Sequence, residues 1–84
     1  MWLTPIKVEC YAGYKPDEKP LRIFINNQWI EVCEIIDRWH QGKPHPEWPL
    51  ADYFKVLCRN NKVYLIKHDL EVDEWFFIKE WDLP

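Results

Sequence analysis

Cys10, Cys33, Cys58, His40, His45 and His68 are the side chains of this 84-residue chain with the widest chemical range. Together they supply enough sulfur and imidazole donors for a tetrahedral zinc ion. No pair has the close spacing of a zinc knuckle. Cys10 and Cys58 also stand at apolar positions of alternating runs, where free cysteine is ordinary core filler. The expectation is structural thiols, no metal and no other cofactor. A cysteine–histidine nucleophile is the second candidate. The parity of Ile30 and Val32 turns Cys33 outward, His40 follows on the same run, and the fold could bring up His68. The flanking Glu31 and Glu34 carry the wrong sign to favour a thiolate.

Serine is absent and Thr4 is the single threonine, which removes the commonest hydroxyl nucleophile. Paired carboxylates remain: Asp69, Glu71, Asp73 and Glu74 before the last apolar run, and Asp17-Glu18 in an early polar stretch. Acid–base work on a glycosidic bond needs two carboxyls across a cleft, one of them desolvated. These lie in turns, where carboxylates are solvated. No catalytic residue is assigned, and the chain reads as a non-enzyme.

The remaining chemistry is aromatic. Six tryptophans occur in the chain, and tryptophan is enriched at the centres of binding interfaces. Trp39-His40-Gln41-Gly42-Lys43-Pro44-His45-Pro46-Glu47-Trp48-Pro49 combines aromatic ends with prolines that lower the entropy lost on binding. Trp48 either binds a partner there or folds back as a lid over the domain. Trp39, Trp48, Trp75 and Trp81 are the residues expected to make contact. Stacking on a single nucleic-acid strand is the rival use of exposed aromatics, and it needs basic neighbours. Arg38 beside Trp39 and Lys55 beside Phe54 are the local pairings of that kind. The net charge of −3 and the lack of a basic cluster weaken this reading.

These side chains must be positioned by strands, because period-two alternation recurs along the chain. Ile6, Val8 and Cys10 share one face of the first run, with Lys7 and Glu9 on the other. Residues 13–20 read as a polar loop. Leu21–Ile25, Asn26-Asn27 and Gln28 to about Ile36 form a candidate hairpin, because asparagine tolerates positive φ. Tyr53–Arg59, Asn60-Asn61 and Lys62–His68 repeat the device. Val32, Ile35, Ile36 and Trp39 have helical spacing, yet the β-branched content favours a long strand that bends or bulges near Glu34–Ile36. Residues 41–50 form a proline-rich loop. Glu74–Trp81 is the last strand, with Trp75, Phe77 and Trp81 on one face and Phe76 and Ile78 on the other.

The fold class that follows is mainly β. A small antiparallel barrel or curled sheet of five or six strands is expected, with one short helical turn near 34–39 as the alternative. One domain accounts for the whole length. The N-terminus lacks the pattern of a secretory signal, and no apolar run reaches membrane-spanning length, so a cytoplasmic protein is expected.

The runs Val8-Glu9-Cys10-Tyr11-Ala12-Gly13-Tyr14, Glu18-Lys19-Pro20-Leu21-Arg22-Ile23-Phe24, Val32-Cys33-Glu34-Ile35-Ile36-Asp37-Arg38-Trp39, Phe54-Lys55-Val56 and Tyr64-Leu65-Ile66-Lys67-His68-Asp69 come in an order that resembles a family of small bacterial proteins. That family is a domain of unknown function, found as short stand-alone cytoplasmic proteins. Some of its members accompany translesion-polymerase-like proteins, which implies a link to DNA repair. The loop 41–50 departs from the family pattern in being longer and richer in proline. The resulting expectation is a noncatalytic protein-interaction module. Its first partner would be a second copy, in a homodimer formed through aromatic surface that includes the last strand. An unidentified protein partner and weak nucleic-acid binding are the further partners considered, and no membrane. The alternative function is a single-strand nucleic-acid-binding accessory linked to DNA repair.

Overall fold

A computed structural model describes residues 3–10, 19–42 and 50–83. Six strands follow in chain order: β1 (Thr4–Cys10), β2 (Pro20–Ile25), β3 (Gln28–Gln41), β4 (Ala51–Cys58), β5 (Lys62–Asp69) and β6 (Glu74–Asp82). Each pairs antiparallel with the next, and β6 returns to β1 through Thr4↔Phe77, Pro5↔Phe76 and Ile6↔Trp75. The sheet is thus a closed barrel, which removes the free edges that make small β proteins aggregate. There is no helix among the described residues, and hence none long and apolar enough to cross a membrane.

Alternation fills the interior. Ile23, Phe54, Val56, Cys58, Tyr64 and Ile66 are fully buried, with Ile25, Ile30 and Trp75 packed beside them. Burying aromatics of this size removes about 150–250 Å² each from water, enough to stabilise a small core without disulfides. None of the three cysteines is in a disulfide. Tyr64 buries its ring but keeps a polar partner, because the Asn60 side-chain amide donates to its hydroxyl at 2.8 Å.

The hairpins follow from asparagine. Asn26 and Asn27 hold φ of 54° and 62°, as a two-residue type I′ turn requires at both central positions. The second hairpin differs from the expected two-residue turn: β4 stops at Cys58, and Arg59-Asn60-Asn61 form a three-residue loop. Only Asn61, at φ 61°, is left-handed there, and its N–H donates to Cys58 O.

β3 is the long bent strand expected, not a helical turn. Its pairing with β4 shifts register between Val32 and Glu34 and again between Ile35 and Asp37, so Cys33 and Ile36 are bulged out. Two successive bulges place Val32 and Ile35 on the inward side three residues apart, with Ile36 as an extra residue and Trp39 on the outer wall, so apolar residues recur at 32, 35, 36 and 39 without sharing one face. That spacing is what imitates a helix in the sequence. Pro20 and Gln41, expected in loops, belong to β2 and β3. Most of the two expected loops lies outside the described residues.

A third bulge corrects the reading of the last strand. Leu65 pairs with Lys79 and Ile66 with Phe77, which leaves Ile78 as the extra residue of β6. Trp75 and Phe77 face the core, while Trp81 emerges on the outer wall opposite Val63. Trp75 and Trp81 therefore do not share a face.

Candidate functional site

Directly paired residues of antiparallel strands project from the same side of the sheet. The registers therefore define the outer wall of β3–β6 as a set of cross-strand rows. One row runs Trp39–Tyr53–Lys67–Phe76, the next Asp37–Lys55–Leu65–Lys79, and the third Glu34–Leu57–Val63–Trp81. Carboxylates occupy the β3 end of two rows, and the centre holds lysines among apolar and aromatic groups.

The side chains in these rows already touch. Trp39 and Tyr53 are stacked, with centroids 5.4 Å apart and planes 6° from parallel, and 42% of Trp39 remains exposed. Tyr53 is steadied from the side, donating its hydroxyl to Gln41 Oε1 at 3.0 Å. The Lys67 ammonium lies 6.0 Å from the Tyr53 ring centre. Lys55 and Lys79 reach the Trp81 ring at 5.1 and 5.2 Å. A cation at this distance from an aromatic face is attracted by the ring quadrupole. From Tyr53 to Trp81 the path crosses two strand spacings and four residues of rise, about 17 Å. Lys55, Leu65 and Lys67 lie along it.

Of the residues expected to make contact, the structure brings Trp39 and Trp81 to this one wall. Trp75 is corrected out of the set. It is 8% exposed, tilted against Phe54 at 5.5 Å and stacked on His68 at 4.2 Å, so its ring belongs to the core. Trp48 lies outside the described residues. Tyr53, Phe76, Lys67 and Lys79 were not singled out from the sequence. Only the strand registers reveal that they adjoin Trp39 and Trp81.

The inward row at one end of the barrel is His40–Asp52–His68–Trp75. His40 Nδ1 and Asp52 Oδ1 are 2.8 Å apart, and Arg38 lies 3.7 Å from the other carboxylate oxygen. His68, itself buried, pairs through Nε2 with Asp73 Oδ1 at 2.7 Å. Both imidazoles are thus engaged by carboxylates. Cys33 sits outward on its bulge, about 20 Å along β3 from His40. Among the described residues, the geometry therefore does not bring Cys33 and His40 together as a nucleophilic pair.

Burial, and secondarily the nearby Cys33, pushes the Cys58 thiol up to about 12. The carboxylates before β6 serve the turn: Asp69 Oδ1 accepts from the N–H groups of Glu71 and Val72, and Asp73, at φ 55°, accepts from His68. Among the described residues, no group of three or more His, Cys, Asp or Glu side chains is placed to hold a metal ion, and His45 lies outside them. Compared with family models, curated proteins and solved structures, the chain has no match.

Proposed function

We propose that this protein is a noncatalytic binding module whose working surface is the outer wall of β3–β6 and whose ligand is a single nucleic-acid strand. The observation that carries this reading is the interleaving of Trp39, Tyr53 and Trp81 with Lys55, Lys67 and Lys79 on one wall. Unpaired bases stack on aromatic rings, and flanking ammonium groups neutralise the phosphates between them. The same charges disfavour self-association here. A two-fold symmetric contact through this wall would set the lysines against their own copies, and lysine is depleted from protein interfaces. The reading agrees with the DNA-repair company kept by the family that the sequence resembles. With a net charge of −3 the affinity is modest and depends on the local lysines.

Fluorescence anisotropy with a labelled oligothymidine and with a duplex of equal length tests the proposal. The single strand is expected to bind in preference to the duplex. Three phosphate contacts give a log–log salt slope near −2, about a twentyfold loss between 50 and 200 mM salt. Trp39→Ala or Trp81→Ala is expected to weaken binding by about 5- to 150-fold, the equivalent of one lost stack of ~1–3 kcal/mol. No binding at low salt, or binding indifferent to both tryptophans, would overturn it. Dimerisation that is lost in the same two variants would instead return this wall to protein–protein contact.

A further inference from the structure

The outer wall of β1–β2–β3 carries a second pattern, independent of the nucleic-acid reading. Glu9, Arg22 and Glu31 are direct cross-strand partners, and Arg59 follows at the end of β4, its N–H donating to Glu31 O. Side-chain ion pairs link the row: Arg22 to Glu9 at 2.6 Å, and Arg59 to Glu31 at 3.3 Å. The four charges therefore alternate −, +, −, + across the wall. Beside them runs the row Lys7–Phe24–Trp29, in which Phe24 and Trp29 form an apolar pair with centroids 5.2 Å apart, and Arg22 lies 4.5 Å over the Trp29 ring. Trp29 is 41% exposed, which is large for a tryptophan in a strand.

An alternating row of four is complementary to its own reversal. A two-fold axis lying in the contact plane, parallel to the strands and between β2 and β3, reverses the order across the strands. It keeps each position along them. Glu9 then faces Arg59 of the second copy, and Arg22 faces Glu31. The same operation sets Phe24 on Trp29 and Trp29 on Phe24. Each of the four charges in the row meets its opposite and the Phe24–Trp29 pair meets itself, while Lys7 on β1 stands beside that pair, with strands aligned as in face-to-face sheet packing.

We infer that this wall is the contact between two copies of the chain in a symmetric homodimer. Exposed ion pairs contribute little free energy each, so the aromatic row supplies the affinity and the charge row fixes the register. The partner inferred is a second copy, the class of partner also expected from the sequence. The surface is a different one.

Charge reversal tests it by sedimentation equilibrium on the full chain. The wild type is expected to dimerise at high micromolar concentration. Arg22→Glu alone and Glu31→Arg alone are each expected to be monomeric, since either sets like charges together twice by symmetry. An equimolar mixture of the two variants is expected to dimerise again, because every position across the mixed pair is then opposite in sign. Misfolded variants would not be rescued by mixing, and circular dichroism of each variant confirms its fold. A monomeric wild type, dimeric single variants, or a mixture that stays monomeric would each overturn the inference.

Discussion

Cys58 and Cys33 differ only in which side of the barrel wall they meet, and their chemistry should differ accordingly. Cys58 is 1% exposed, so its thiolate has no water to solvate it. Its folded value of about 12 stands above the ordinary 9.0. Below pH 9 the thiol keeps its proton in both folded and unfolded chains, and its contribution to stability is fully present. From pH 9 towards 12 the unfolded chain releases a proton that the folded chain retains. Stability should therefore fall across that window by about 1.4 kcal/mol per pH unit from this group. Urea denaturation from pH 9 to 11 is expected to show a shallower decline for Cys58→Ala than for the wild type. Equal slopes would show that the thiol is not kept neutral by burial.

At the scale of elements, turns and bulges decide which side chains meet. The β2–β3 turn holds both asparagines left-handed, a region that costs an ordinary L-residue about 1–2 kcal/mol. Asn27→Ala is expected to lower the melting temperature by about 4–8 °C, the shift expected for a loss of ~1 kcal/mol. Asn27→Gly should leave it unchanged or raise it. A melting curve for Asn27→Ala that overlays the wild type would mean the turn is not of this type.

Asn26-Asn27 was legible in the sequence because its local chemistry names the turn, whereas Asn60-Asn61 marked the place of the second turn but not its three-residue length. The bulges were legible only in part. β-Branched residues identified β3 as a strand, and the two added residues explain its false helical period. The bulge at Ile78 left no local mark, so Trp81 was assigned to the wrong face. Trp75 misled for a related reason: a strand apolar on both faces does not say which face closes the core. The candidate site was legible as residue types, since Trp39 and Trp81 were singled out. Tyr53, Lys67 and Lys79 joined them only through pairing between strands, and one chain's periodicity carries no register.

For the whole molecule, the two walls make separable demands on one small barrel. β3 serves both: its first residues pair with β2 under the charge row, and its later residues pair with β4 beneath Trp39. Because the strand bends at its two bulges, the walls face different directions and share no side chain. A variant that breaks one contact should therefore spare the other. Arg22→Glu is expected to abolish dimerisation yet bind a short single strand within about twofold of wild type, since sites without shared partners act additively. Trp81→Ala is expected to weaken strand binding and leave the monomer–dimer equilibrium in place. Anisotropy and sedimentation on the same two preparations decide it. If Arg22→Glu loses both activities while keeping its circular dichroism spectrum, the strand site must be built across the dimer. The two walls would then form one composite surface, not two independent ones.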